Sequence, residues 1–170
     1  IVRTVELLAG SFGGVNLEDI AAPRCIEIER RLKEKCDIPI FHDDQHGTAI
    51  VVSAALINAC KLTGKDIASL RIVISGAGAA ALAIARLLLS LGTSDLVLCN
   101  RRGLLYAGNP DLNPEQASVA ALTNPRGLRG SLRDAMPGAD VFIGVSGPNC
   151  LTREDVALMA DKSVVFAMAN

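Results

Sequence analysis

The sequence predicts an α/β fold: a doubly wound, mainly parallel sheet preceded by part of another lobe. Three observations carry this expectation. Short, continuously apolar, β-branched runs alternate with helical stretches in the second half of the chain, the pattern of parallel strands covered on both faces. A glycine-rich turn joins one of these strands directly to an apolar helix. Half of the 170 residues are apolar and only 21% are charged, which suits a folded, aliphatic core and excludes a disordered tail, a collagen-like chain or a coiled coil.

Taken in order, residues 24–35 place Cys25, Ile28 and Leu32 on one helical face, with Glu27, Arg30, Arg31 and Glu34 opposite, and Pro23 suits the first helical position. A short strand over residues 38–41 runs into His42-Asp43-Asp44-Gln45-His46-Gly47. Residues 48–62 are apolar almost all round and predict a buried helix, closed by Thr63-Gly64. Residues 70–75 are a strand, residues 79–91 an apolar helix ended by Gly92, and residues 95–99 another strand. The polar stretch holding Gly108, Asn109-Pro110 and Asn124-Pro125 reads as loop. Ser131 caps a short helix through Met136, and residues 140–145 are a strand. Thr152 then caps a helix to Ala160, and residues 164–168 form the last strand.

Seventeen basic side chains against eighteen acidic ones leave a net charge of −1, so neither nucleic acid nor an anionic membrane is expected as a partner. Four Phe, one Tyr and no Trp offer no platform for stacking bases. No apolar run reaches the roughly eighteen residues of a membrane span. The five cysteines are odd in number and contain no CxxC pair; Cys25, Cys60 and Cys99 read as buried reduced thiols, which fits a cytoplasmic protein. The chain opens on Ile1 and stops just after a strand-like run, so it is expected to be a piece of a longer polypeptide.

Residues 70–75 lead straight into Gly76-Ala77-Gly78-Ala79-Ala80-Ala81, a G-x-G-x-x-A pattern at a strand-to-helix turn. Gly76 lets the chain turn tightly, Gly78 lets the backbone approach a pyrophosphate, and Ala81 lets the helix pack against the strand. The unpaired amides of the helix start then face the phosphates, as in a Rossmann-like domain. A plain tight turn is the alternative. At the end of the next strand, where an acid would bond the ribose 2′-hydroxyl of NAD, stand Asn100, Arg101 and Arg102. The missing carboxylate and two guanidinium groups favour NADP over NAD, with NAD as the second choice. A solvated arginine turn is the alternative here.

Two acidic pairs remain: Glu18-Asp19, and Asp43-Asp44, each in an apolar setting. Brought together, they would offer hard oxygen ligands to Mg²⁺ or Mn²⁺, leaving positions for substrate and water. Helix capping is the alternative use for Asp19 and Asp44. His42 and His46 flank the second pair without forming HExxH, and are expected to support or cap it.

The segments Phe12-Gly-Gly-Val-Asn-Leu-Glu-Asp-Ile20, Phe41-His-Asp-Asp-Gln-His-Gly-Thr-Ala49 and Ser75-Gly-Ala-Gly-Ala-Ala-Ala81 resemble successive motifs of the malic enzymes, in order and over essentially the whole chain. The likeness is greatest to the bacterial NADP-dependent form, often fused to a phosphotransacetylase-like domain. The resemblance implies that Glu18, Asp19 and Asp44 ligate the divalent metal and that Asp43 supports the catalytic lysine. Val145 and Ser146 would line the nicotinamide pocket, and Asn170 would contact malate. It implies residues 1–46 as the end of the catalytic lobe and residues 47–170 as the cofactor domain, in a homo-oligomer. The implied reaction is metal-dependent oxidative decarboxylation of (S)-malate to pyruvate and CO₂ with reduction of NADP⁺. The family's catalytic tyrosine and lysine would lie upstream of Ile1, so the piece alone is expected to be inactive, and Tyr106 is given no role. Two other readings share the turn: a shikimate-, glutamate- or methylenetetrahydrofolate-type dehydrogenase, and an inactive nucleotide-binding module.

Overall fold

The computed structural model describes residues 1–169. The chain opens with α1 (Val2–Leu8), β1 (Val15–Leu17), α2 (Arg24–Lys35) and β2 (Ile40–His42). β1 and β2 form a two-stranded parallel pair in the register Val15↔Ile40 and Leu17↔His42, closed by a small core of Leu17, Leu32 and Ile40. Pro23 is the N-cap of α2 rather than its first helical residue, and the strand expected at residues 38–41 is shorter, beginning two residues later and ending one later. A π-helical turn, Asp43–Gly47, then feeds α3 (Thr48–Thr63), which ends on Gly64 in the left-handed conformation.

The second part is the expected sheet. β3 (Arg71–Ser75), α4 (Ala79–Ser90), β4 (Asp95–Asn100), β6 (Val141–Gly144) and β7 (Val164–Ala167) follow the sequence expectation to within a residue or two, with a two-residue β5 (Gly103–Leu104) between β4 and β6. The strand order is β5-β4-β3-β6-β7, parallel throughout except for β5. Alternation along each strand divides two cores. Ile72, Ile74, Leu96, Leu98, Val141 and Ile143 pack with α3 and α4 on one face, whereas Val73, Val97, Cys99 and Phe142 pack with Ala135 and Met136 on the other. Neighbouring strands diverge on either side of β3, and such a switch point opens a crevice at the strands' carboxyl ends.

Three local expectations are corrected. α3 is not buried all round: Ala49, Val52, Ser53 and Leu56 face the core at helical spacing, while Ile50, Val51 and Ile57 are exposed. The stretch read as loop contains β5 and α5 (Pro114–Ala120), whose start is a complete capping box of Asn113 and Gln116. Ser131 caps α6 (Leu132–Ala135) as expected, but α7 (Arg153–Val156) stops short of Ala160. There the Gly138 and Ala160 amides donate to Leu158 and Ala139 carbonyls and turn the chain back onto the sheet. Of the three thiols expected in the core, Cys25 and Cys99 are buried and Cys60 is half-buried; all five cysteines are free. Among the described residues no helix is long and apolar enough to cross a membrane.

Candidate functional site

A cavity of about 840 Å³ opens at the carboxyl ends of β3, β4 and β6. Gly76, Ala77, Gly78, Asn100, Arg101, Arg102, Val145 and Ser146, all singled out from the sequence, line it together. Gly76 has φ +143°, and a Cβ there would lie 3.0 Å from Val145 Cγ2 and 3.4 Å from Ala81 Cβ. The first glycine is therefore required by conformation and by close approach, and buried Ala81 is the small residue beneath it. Gly78 differs: its backbone is extended and a Cβ there would meet nothing, so the room above it belongs to the cavity. Gly78 is the N-cap of α4 and lines this space, so the helix N-terminus lies at the cavity.

The turn is held from several sides. The Gly76 amide donates to the Cys99 carbonyl at 2.8 Å, the Val145 amide to the Ser75 carbonyl at 3.0 Å, and the Gln116 side-chain amide to the Ala77 carbonyl at 3.0 Å. Gln116, on the helix missed from the sequence, thus ties α5 to the glycine turn. Ser75 and Ser146 hydroxyls share a hydrogen bond of 2.8 Å across the cavity floor. Burial, helped by the neighbouring Cys150, pushes the Cys99 thiol up to about 11, so it stays protonated and unreactive at neutral pH.

The acidic pairs meet because β1 and β2 are parallel and in register: the residues after Leu17 and after His42 leave side by side. Asp19 adopts φ 55°, a left-handed conformation that Asp tolerates better than most, and its amide donates to Asp44 Oδ2 at 3.0 Å. Asp43 lies over Gly47, where a Cβ would overlap its carboxylate. Among the described residues neither α2 nor α3 receives a side-chain cap hydrogen bond, while Asp43 and Asp44 fall in the first turn of the helical segment that runs into α3, where negative charge is favourable. His42 is fully buried, 4.0 Å from Asp44 Oδ2 through Nδ1, and among the described residues neither ring nitrogen has a hydrogen-bond partner. The expected cluster of three carboxylates is not assembled: Glu18 is exposed at the end of β1, and no group of three acidic, His or Cys side chains suited to a metal occurs among the described residues. What the structure brings together is Asp19 and Asp44, which fits a hard divalent cation that takes one or two carboxylates and fills its remaining positions from substrate and water. Asn170 lies outside the described residues.

Glu29, not singled out from the sequence, anchors the acidic turn. It is buried on α2, with Lys33 Nζ and His46 Nε2 each 2.8 Å from Oε1; Oε2 meets the His46 ring at 3.0 Å and the Gln45 amide at 3.5 Å. Its place on the apolar face with Cys25 and Leu32, at i, i+4 and i+7, was the available signal. Burial raises its pKa, but the hydrogen bonds and positive charges of Lys33 and His46 outweigh burial and hold it below its ordinary value. A depressed carboxyl pKa stabilises the fold at neutral pH, and that stabilisation is lost as pH falls through the folded value. Glu29→Gln should therefore lower stability by about 2 kcal/mol at pH 7 and show a smaller loss on acidification, as thermal melts between pH 7 and pH 3 would report.

The glycine turn, the parallel strands and the cavity at their carboxyl ends define a dinucleotide-binding α/β domain. The chain belongs to the malic enzyme family: the model described as "Malic enzyme, NAD binding domain" matches residues 45–170. It is 54% identical to a bifunctional malic/malolactic enzyme of Bacillus subtilis, over 100% of this chain and 42% of that protein. It is 51% identical to an NADP-dependent malic enzyme of Halomonas elongata, over 99% of this chain and 40% of that protein. A crystal structure of an NAD-dependent malic enzyme from Thermotoga maritima superposes with a TM-score of 0.96 at 48% identity, over 99% of this chain and 45% of that one. The chain thus spans about two fifths of the length of these two curated relatives and 22% of longer ones, and both NAD- and NADP-dependent proteins are among its likenesses.

Proposed function

We propose that this chain supplies the cofactor- and metal-binding part of an enzyme that oxidatively decarboxylates (S)-malate to pyruvate and CO₂, with NADP⁺ as hydride acceptor. Residues 1–46 would close the catalytic lobe and residues 47–170 form the cofactor domain. The observation that carries this reading is that the acidic turn Asp43–Gly47 packs against α4, the helix whose N-terminus faces the cavity. One site can then hold malate and nicotinamide together.

In this scheme the Gly76–Gly78 backbone and the first amides of α4 bind the pyrophosphate, and Val145 and Ser146 line the nicotinamide end. Arg101 and Arg102 meet the 2′-phosphate. Asp19 and Asp44 would hold Mg²⁺ or Mn²⁺, and Asn170 would contact malate. Asp43, set over Gly47 on a turn locked by Glu29, holds the lysine base in position. A divalent cation bound there supplies Lewis-acid stabilisation of the negative charge that develops on the malate C2 oxygen. The full-length enzyme should form NADPH from malate with Mn²⁺ and lose the activity with EDTA; turnover that is indifferent to chelation contradicts the metal assignment.

The preference for NADP rests on the absence of a carboxylate at the end of β4. Charge-assisted contacts to the 2′-phosphate from both Arg101 and Arg102, against a single hydrogen bond from a 2′-hydroxyl, should give NADP the higher kcat/KM. A clear NAD preference would contradict the assignment of Arg101 and Arg102.

A further inference from the structure

We propose that Asp111 supplies the carboxylate that the end of β4 lacks, and that Asp111 and Arg102 divide the two cofactors between them. Asp111 receives the ribose 2′-hydroxyl of NAD, and Arg102 receives the 2′-phosphate of NADP. The inference rests on the dinucleotide reading of the cavity and goes beyond it by naming the residue that sets its selectivity.

Four observations support it. Asn100 stands at the ribose position, but its Oδ1 already accepts the Arg102 amide at 2.8 Å, so it closes its own turn rather than presenting an acceptor to a ligand. Asp111 arrives from the loop before α5 and lines the same cavity as the glycine turn and Asn100. Its carboxylate is the partner of Arg102, Oδ1 to Nη1 at 3.6 Å. Its position is set by a second turn of the same kind, in which the Asp111 amide donates to Asn109 Oδ1 at 3.0 Å.

Two side-chain-closed turns therefore face each other at the cavity mouth, one carrying the cation and one the anion. The pair is largely exposed, and exposed pairs are weak, so it exchanges readily for a ligand. A 2′-phosphate draws Arg102 away and is repelled by Asp111. A 2′-hydroxyl donates to Asp111 while Arg102 stays as its counter-ion. The two side chains thus pull in opposite directions on one atom of the cofactor.

The test is titration of NADH and NADPH into the full-length protein, followed by the fluorescence of the reduced cofactors. Asp111→Asn should weaken NADH about tenfold and leave NADPH as tight or tighter. Asp111→Glu, which keeps the charge, should retain more of the NADH affinity than Asp111→Asn does. Arg102→Gln should weaken NADPH about tenfold, with NADH changed less than twofold. If Asp111→Asn shifts both cofactors equally, or neither, the division of roles is wrong while the dinucleotide site stands. If the wild-type protein binds neither cofactor, the dinucleotide reading itself fails and this inference with it.

Discussion

Gly76→Ala should weaken dinucleotide binding at least a hundredfold and destabilise the chain, whereas Gly78→Ala, two residues on, should weaken binding with the fold intact. At Gly76 an added methyl meets both a positive φ and the Val145 and Ala81 side chains at 3.0 and 3.4 Å. Backbone strain and overpacking at such a position cost about 2–4 kcal/mol together. The turn relieves them only by moving away from Val145 at the carboxyl end of β6, which displaces the backbone that would bind the phosphates. At Gly78 the backbone is extended and the methyl meets no protein atom, so thermal stability should change by less than about 0.5 kcal/mol. The methyl instead occupies space above the helix start, where the pyrophosphate would lie. Cofactor titration and a melting curve on each variant read both effects. Equal behaviour of the two glycines would contradict the geometry assigned to the turn.

Asp44→Asn in the full-length enzyme should collapse turnover at limiting Mn²⁺ and raise the metal concentration needed for activity steeply. Asn keeps an oxygen that can accept the Asp19 amide, so the contact that shapes the turn survives while the charge is lost. A hundredfold loss corresponds to about 2.7 kcal/mol of transition-state stabilisation, within the several kcal/mol that a bound metal supplies. Activity against Mn²⁺ concentration, with metal affinity measured alongside, separates lost ligation from misfolding. Wild-type activity at low Mn²⁺ would remove Asp44 from the metal site.

The sheet and its glycine turn were legible because their causes are local. Strand runs that are apolar on both faces, and small residues at fixed offsets, are written in consecutive positions from Leu70 to Ala81. The acidic pairs were visible as residue types in unusual surroundings, but their meeting depends on the β1–β2 register, which joins residues twenty-five apart and leaves no local trace. The same register explains why Asp19 presents its amide to Asp44. α5 went unread because Gly108, Asn109-Pro110 and Asn124-Pro125 dominate its surroundings, although Asn113-Pro-Glu-Gln116 carries a complete capping signal. With it went Gln116 on the glycine turn and Asp111 at the cavity mouth. α3 fails differently: Ile50, Val51 and Ile57 are as apolar as the residues facing the core, and composition alone does not say which face is covered.

In the proposed enzyme the acidic turn and the cofactor cavity form a single site, joined through α4. The most direct measurement is paramagnetic broadening of bound NADP⁺ proton resonances by Mn²⁺ in the full-length protein. The nicotinamide protons should broaden strongly and the adenine protons much less, and Asp44→Asn should abolish the difference. Equal broadening at both ends, or broadening greatest at the adenine, would place the metal away from the reacting end of the cofactor and contradict the account.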